Sequence, residues 1–457
     1  MSEKKFDFTL YAGEALLPDG WAKDVRIAVA GGRLASVEAG VSAGMDDNQV
    51  SILLPGMPNL HSHAFQRGMA GLAETRGPGA DSFWSWREVM YRFALSMTPE
   101  HVEAVAAQLY VEMLEAGFTR VGEFHYLHHD HDGQPYDDIA EMASRIAAAA
   151  NLTGIGLTLL PVLYAHSGFG GAAPNEGQRR FVNTLDGFAR LLESSRKAIR
   201  SLPDAVLGIA PHSLRAVTPQ ELSAVVQLAP DCPIHIHIAE QLREVEDCVA
   251  WSGARPVEWL LDNTTVDGRW CLIHATHMTA DETRRMAASG AVAGLCPITE
   301  ANLGDGIFAG PLFLSHQGRY GIGSDSNVLI GIPDELRQLE YSQRLARHER
   351  NVLAAPGRSN GRDLFDRAFT GGSAALGSSA AGLSAGAPAD FVSLDRTGST
   401  LAGKAGDTIL DAWIFANGTG IDGVWVNGRQ QVKAGRHRLR QDVAERFRRT
   451  MVALSDH

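Results

Sequence analysis

Four histidines, a glutamate and an aspartate have the residue types and spacing that metal-assisted hydrolysis requires. Each lies at or just after the end of a short apolar run, and together they span more than 260 positions: His61, His63, His237, Glu240, His274 and Asp325. Three imidazoles and a carboxylate can hold one divalent cation and leave room for a water molecule. The set therefore predicts a metal-dependent hydrolase.

The predicted metal ligands are His61, His63, His237 and Asp325. His61 and His63 are two residues apart in LPGMPNLHSHAF, so both side chains leave a strand on the same side. This ligand set suits Zn²⁺, and Fe²⁺ remains an alternative because ligand type alone does not separate the two ions. Such an ion lowers the pKa of its water to roughly 7, which supplies hydroxide near neutral pH.

The predicted catalytic residues are Glu240, His274 and Asp325. Asp325 can accept a proton from the attacking water as well as contact the metal. Glu240 follows His237 by three residues and is placed to carry that proton to the leaving nitrogen. His274 is placed to stabilise the tetrahedral centre electrostatically. The alternative, ordinary polar residues at strand ends, is disfavoured by the spacing of the whole set.

The elements that must position these residues form an alternating pattern in the middle of the chain. Strand-like runs alternate with Ala-rich or amphipathic stretches, and eight of these runs end near His61, Glu123, Tyr164, His212, His237, His274, Cys296 and Asp325. Eight strand–helix repeats predict a parallel (β/α)8 barrel, whose active site lies at the carboxyl ends of its strands. The candidate site residues fall at or close to those ends.

Both ends of the chain have the short, turn-bounded runs that are typical of β-structure. Residues 1–55 and 383–457 are therefore predicted to form one small β-sandwich, and residues 56–382 the catalytic barrel. In the C-terminal part, PADFVSLD and DAWIFAN predict strands, and Asn427-Gly428 predicts a hairpin turn.

Two further segments invite a functional interpretation. FHYLHHDHDG contains His128, His129 and His131, and we expect a solvated loop there instead of a second metal site. The segment with Trp84 and Trp86 follows the first barrel strand, and it predicts an aromatic-rich loop placed to cover the site.

Composition and charge limit the partners. The chain is 45% hydrophobic and 21% charged, as globular proteins are. A formal charge of -12 argues against nucleic acid or an anionic membrane as partner, and an anionic substrate would need local arginines. The four cysteines show no CxxC spacing, and the sequence has neither an apolar signal core nor a run of 18 apolar residues. We therefore expect a cytoplasmic protein with reduced cysteines and no membrane span.

The chain resembles the amidohydrolase superfamily in its HxH pair, its two later histidines and its aspartate. The resemblance covers nearly the whole chain and implies a distorted (β/α)8 TIM-like barrel with a flanking β-sandwich. Members with two metals usually carry a carboxylated lysine at the end of strand four, and the run AVLGIAPHSLRAV contains no lysine. The resemblance therefore implies the one-metal branch, in which the strand-five HxxE marks deaminases that release ammonia from a C–N bond.

Longer stretches resemble the formimidoylglutamate deiminases. They are MPNLHSHAFQRGMAGLAE, FWSWREVMYRFA, GEFHYLHHD, PHSLRAV and HIHIAEQLREVEDCVAWSGARPVEWLLDN. The resemblance implies an iminohydrolase of histidine degradation that converts N-formimino-L-glutamate to N-formyl-L-glutamate and ammonia. It also implies one zinc per chain and a homodimer.

Five residues suit a substrate with two carboxylates and an amidine-like head. Arg87 and Arg215 offer bidentate geometry to carboxylates. His212 ends the fourth predicted strand, Tyr126 lies three residues after Glu123, and Gln66 lies three residues after His63. All three are placed to contact the substrate. The alternatives are salt bridges or helix caps for the arginines, and packing or indirect support for the other three residues.

Two other functions remain open from the residues alone. A purine, pyrimidine or pterin deaminase of the same superfamily would need flat stacking walls and amide partners for ring edges, which two arginines fit poorly. A non-catalytic barrel that serves as a scaffold is disfavoured because the site residues are all present.

Overall fold

The computed structural model describes residues 6–76, 79, 81–416 and 420–455. The strands in chain order are β1 (Phe8–Leu17), β2 (Gly20–Ala30), β3 (Arg33–Glu38), β4 (Asn48–Pro55), β5 (Met57–Ser62), β6 (Phe118–His125), β7 (Gly156–Leu163), β8 (Val206–Leu207), β9 (Ala210–Pro211), β10 (Ile234–Ile238), β11 (Trp270–His274), β12 (Val292–Leu295), β13 (Arg319–Ile322), β14 (Phe391–Leu394), β15 (Ile421–Val426), β16 (Arg429–Lys433) and β17 (Arg436–His437).

The α-helices follow the same order along the chain. They are α1 (Phe83–Ser96), α2 (Pro99–Glu115), α3 (Glu141–Thr153), α4 (Leu185–Ala198), α5 (Pro219–Leu228), α6 (Leu242–Ser252), α7 (Pro256–Asn263), α8 (Ala280–Ser289), α9 (Pro297–Leu303), α10 (Gly310–Ser315), α11 (Ile332–Arg347), α12 (Asn360–Ala375), α13 (Asp407–Phe415) and α14 (Arg440–Ser455). No helix among the described residues is long and apolar enough to cross a bilayer.

The predicted parallel barrel is confirmed. Strands β5 to β8 form one parallel run with β9 beside β7, and β10 to β13 form a second. Isolated parallel bridges join the two runs, between Ser62 and Asp325 on one side and, on the other, between Ile209 and Ile234 and between Ser213 and His237. The bridges to Asp325 and His237 lie at candidate site residues. The barrel is therefore distorted where its strands meet the site.

Local sequence signals explain where the barrel elements begin and end. Thr98, Thr218 and Thr279 precede α2, α5 and α8, and each hydroxyl accepts a hydrogen bond from a backbone N–H of the first helical turn. Helix α8 ends at Gly290, whose φ of 80° suits a residue without a side chain. Strands β6 and β7 are buried at every position, as expected for parallel strands covered by helices.

Both chain ends contribute to the flanking β-sandwich, as predicted. The strands pair in the order β17-β16-β15-β14-β4-β1-β2-β3, so the N- and C-terminal parts meet where β14 runs antiparallel to β4. A separate apolar core that includes Leu10, Ile27, Phe391 and Trp425 lies within this domain. The predicted hairpin is also confirmed, because Val426 pairs with Arg429 across the two intervening residues.

The prediction of a strand at DAWIFAN was wrong. Residues 411–415 belong to helix α13, which packs against α11 and α12, and Asn417 lies outside the described residues. The helix buries Ile409, Leu410 and Trp413, so its apolar residues follow the three-to-four spacing of one helical face. A short apolar run that ends on aromatic residues fits a strand equally well until its neighbours are known.

Candidate active site

The four predicted metal ligands converge at the carboxyl end of the barrel. One ligand atom from each of His61, His63, His237 and Asp325 lies within 4.8 Å of all the others, and all four residues are buried. The Nε2 atoms of His61 and His237 are 3.0 Å apart, and the Asp325 Oδ1 lies 3.4 Å from His61 Nε2 and 3.2 Å from His63 Nε2. This arrangement brings three imidazoles and one carboxylate to a single point.

Backbone carbonyls orient two of the imidazoles as metal ligands require. His63 Nδ1 donates to the carbonyl of Phe124 at 2.9 Å, and His237 Nδ1 donates to the carbonyl of His212 at 3.1 Å. A carbonyl only accepts, so the proton sits on Nδ1 and the Nε2 lone pair faces the cluster. Burial lowers the pKa of His61 to about 3 and that of His237 well below its usual value, which favours the neutral, ligating form.

Close contact between the first and last barrel strands holds Asp325. Its N–H donates to the His61 carbonyl and its carbonyl accepts from the His63 N–H, both at 3.0 Å. A Cβ added to Gly323 would lie 2.8 Å from backbone atoms of His61, so only glycine permits this approach. Asp325 has a φ of 44°, a strained value that the surrounding hydrogen bonds maintain.

Glu240 and His274 lie beside the ligand cluster. His274 Nε2 is 3.8 Å from a Glu240 oxygen and 3.8 Å from Asp325 Oδ2, while its Nδ1 is 3.3 Å from Glu300. Burial raises the pKa of Glu240 above its usual range. Burial alone would lower the pKa of His274, but the charge of Glu240 and the contact with Glu300 raise it. A histidine and a carboxyl group whose pKa values are both raised thus stand next to each other, which suits proton transfer.

A pocket with a cavity volume of about 50 Å³ opens above the cluster. Every predicted site residue except His61 lines it. Gln66 Nε2 donates to the Tyr126 hydroxyl at 2.8 Å, and His212 places its ring 4.9 Å from that of His237. These three residues are therefore close enough to the cluster to contact a bound substrate.

Arg87 and Arg215 also line the pocket. Among the described residues no carboxylate forms an ion pair with either guanidinium, and the Arg215 Nε is buried without a hydrogen-bond partner. A buried cationic donor without a partner is costly. No close ion pair among the described residues supports the salt-bridge alternative, although burial alone would lower the pKa of Arg215 and the negative charge of Glu244 raises it. Both guanidiniums line the pocket and can bind anions.

Two local predictions were wrong. Trp84, Trp86 and Arg87 lie on helix α1 and not in a loop. His128 and His129 are buried and not solvated, and their Nε2 atoms donate to the carbonyls of Val162 and Val182, whereas His131 is exposed as predicted. A run of polar residues favours solvent exposure, but buried carbonyls provide partners for these two imidazoles.

Sequence reasoning missed a further group of pocket residues. Besides Trp86 and the predicted site residues, six residues line the pocket, namely Phe83, Met90, Tyr91, Tyr164, Phe181 and Leu303. Glu300 was also missed, although it follows Cys296 at the end of the seventh barrel strand by four residues. The rule that singled out Glu240, a carboxylate shortly after a strand end, would have found it. The aromatic residues carried no such signal because they resemble core residues.

Family models and known proteins match this chain along its length. A model of the amidohydrolase family matches residues 52–430, and a model of the N-terminal domain of formimidoylglutamate deiminase matches residues 8–51. The crystal structure of an amidohydrolase from Brucella melitensis has a TM-score of 0.96 at 64% identity, covering 98% of this chain and 100% of that one. An adenosine deaminase from Xanthomonas campestris, crystallised with bound zinc, shares the fold with a TM-score of 0.81 at 21% identity, over 99% of each chain.

The sequence comparison narrows the family further. The formimidoylglutamate deiminase of Pseudomonas aeruginosa is 51% identical over 98% of this chain and 99% of its own length. A 5-methylthioadenosine/S-adenosylhomocysteine deaminase of Natronomonas pharaonis is only 26% identical, over 76% of this chain and 74% of its own. The chain therefore belongs to the amidohydrolase family and, within it, to the formimidoylglutamate deiminases.

Proposed function

We propose that this enzyme hydrolyses N-formimino-L-glutamate to N-formyl-L-glutamate and ammonia as a step of histidine degradation. The observation that carries the proposal is the pair of guanidiniums, Arg87 and Arg215, that line the pocket above the ligand cluster and form no ion pair with a carboxylate of the described residues. Two cations suit a substrate with two carboxylates and fit the edge of a purine or pyrimidine poorly. The formimino head would then point toward the barrel floor.

We further propose one Zn²⁺ per chain, held by His61, His63, His237 and Asp325. Three neutral imidazole nitrogens and a carboxylate are the ligand types that zinc prefers. A divalent ion bound there would act as a Lewis acid and lower the pKa of a water molecule. The other potential ligand set includes Cys296, but burial raises the pKa of that thiol well above its usual value, which disfavours the ligating thiolate.

The chain's own residues move the protons in this proposal. Asp325 accepts a proton as water adds to the formimino carbon, and His274 donates a hydrogen bond to the oxygen on which charge develops. Glu240 delivers a proton to the nitrogen that leaves, so that the C–N bond breaks and ammonia departs. Gln66, His212 and Tyr126 are the proposed neighbours of the bound substrate.

The domain limits and the assembly are also proposals. We assign residues 56–382 to the catalytic barrel and residues 1–55 with 383–457 to the β-sandwich domain. Helix α14 at the end of that second segment packs on barrel helix α2, which ties the two parts together. We propose a homodimer, and we place it in the cytoplasm because the four cysteines are free.

Ammonia release from a panel of compounds tests the function. We expect turnover of N-formimino-L-glutamate and little or none of guanine, adenosine and cytosine. Elemental analysis of protein purified without added metal should find one ion per chain. Brisk deamination of a ring base with N-formimino-L-glutamate inert would overturn the substrate, and two ions per chain that activity requires would overturn the single-metal site.

A further inference from the structure

Three guanidinium groups surround the indole of Trp84. The ring centroid lies 4.6 Å from the Cζ of Arg87, 4.9 Å from that of Arg243 and 6.0 Å from that of Arg215. The arginines come from three separate elements, namely helix α1, helix α6 and the turn after the fourth barrel strand. Like charges repel, but the electron-rich face of an indole attracts cations although the ring itself is neutral.

The three guanidiniums differ in burial and in partners. Arg215 is buried, whereas the Arg243 side chain is 64% exposed. Arg243 forms an ion pair with Asp247 at 3.7 Å on the exposed face of the same helix, and such a pair contributes little. Arg243 does not line the pocket, whereas Arg87 and Arg215 do. The positive charge therefore extends from inside the pocket to the solvent.

This local charge opposes that of the whole protein. The chain carries a formal charge of -12, so most of its surface repels an approaching dianion. A cluster of cations at one edge of a pocket raises the local concentration of anions and the rate at which they enter. The effect is strongest at low ionic strength because salt screens exposed charges.

We propose that Trp84 and Arg243 form an outer capture site for dicarboxylates at the mouth of the pocket. A carboxylate of the substrate meets the exposed Arg243 first and then passes to Arg87 and Arg215. Trp84 is a positioning residue, because its ring holds the three guanidiniums near one another while no anion is bound. The inference rests on the proposed function, which assigns a dianionic substrate to this pocket.

The simpler account is that Arg243 is a solvated residue of an amphipathic helix and that Trp84 only packs against Phe83, whose ring is 5.2 Å away. The two explanations predict a different dependence of kcat/KM on salt concentration. A solvated arginine that meets no ligand changes neither substrate capture nor its response to salt.

The first test compares Arg243→Gln with wild type in kcat/KM for N-formimino-L-glutamate. At about 20 mM ionic strength we expect a loss of about tenfold, which should shrink to about twofold in 0.5 M NaCl as screening removes the attraction. The matched control is Arg196→Gln on helix α4, whose side chain is 52% exposed and pairs with Glu193. Equal kcat/KM and equal salt dependence in wild type and Arg243→Gln would overturn the capture site.

The second test measures glutarate binding by calorimetry and does not depend on turnover. We expect Arg243→Gln and Trp84→Leu to weaken binding of this dicarboxylate, and Trp84→Phe to retain more of it because an aromatic face remains. Unchanged binding in Arg243→Gln would overturn the proposal even if Trp84→Leu fails to fold. If wild type binds glutarate in this arginine-dependent way but does not release ammonia from N-formimino-L-glutamate, the proposed function fails and the capture site stands.

Discussion

The floor of the pocket and its rim are built in different ways. The floor comprises the four predicted metal ligands, which stand at or beside the ends of parallel strands and are fixed through strand contacts or backbone hydrogen bonds. The rim comprises Trp84, Arg87, Arg215 and Arg243, which come from two helices and a turn and meet mainly through one aromatic ring. The floor is buried throughout, whereas the rim reaches solvent.

The floor and the rim of the pocket therefore suit different tasks. Chemistry at a metal centre requires atoms placed to within about half an ångström, and strand ends joined by backbone hydrogen bonds provide that placement. Recognition of carboxylates depends on charge and tolerates movement of long side chains. Substitutions in the floor should therefore abolish activity toward every substrate, and substitutions in the rim should change which substrate is preferred.

Asp325→Asn should have the largest effect. We expect kcat/KM to fall by at least about 10⁴-fold for any amidine substrate, because Asp325 is both a proposed metal ligand and the proposed proton acceptor. Elemental analysis should show reduced metal content, and Asp281→Asn at an exposed position of helix α8 should behave as wild type. A variant that kept its metal and lost activity toward only one substrate would contradict the division between floor and rim.

Glu240→Gln should keep the metal and lose most of the turnover. The expected loss in kcat is roughly 10²–10⁴-fold, the usual contribution of a general acid or base. Steady-state kinetics and metal analysis on the same preparation measure kcat and metal content. The control is Glu193→Gln on the exposed face of α4. Near-normal turnover would show that Glu240 does not carry the proton.

Tyr126→Phe should have the smallest effect. It removes the hydroxyl that accepts a hydrogen bond from Gln66 at 2.8 Å, and such a bond contributes about 1 kcal/mol, or about fivefold in KM. Tyr341→Phe on helix α11 is the control, since that ring is partly exposed. A loss of kcat with an unchanged KM would mean that Tyr126 acts on the chemistry and not on substrate placement.

The barrel was predictable because each of its elements carries its own local signal. The runs that end near His61, His237 and His274 are short and apolar, and the observed strands end within two residues of those positions. The region around Trp413 was predicted to be a strand but is a helix, because a short apolar run fits either element. Its partners, helices α11 and α12, decide the outcome, and they are far away in sequence.

The site was predictable to the extent that strand ends mark it. Residues such as Glu240 and Asp325 follow strands directly, so the barrel geometry brings them together. The rim was less predictable, because Trp84 and Arg243 lie on helices whose orientation follows from packing. The strained backbone at Asp325 and the close approach at Gly323 also depend on contacts between the first and last strands, which no local pattern encodes.

The separation of floor and rim is tested most directly by a grid of kcat/KM values. Wild type, Arg87→Met and Arg215→Met are each measured with N-formimino-L-glutamate and with formiminoglycine, which lacks the side-chain carboxylate. We expect either substitution to cost about 2–4 kcal/mol with the full substrate at unchanged metal content. The variant that lacks the arginine for the side-chain carboxylate should lose most of the wild-type preference for N-formimino-L-glutamate over formiminoglycine. Additive losses for both arginines, or loss of metal from either variant, would contradict the account.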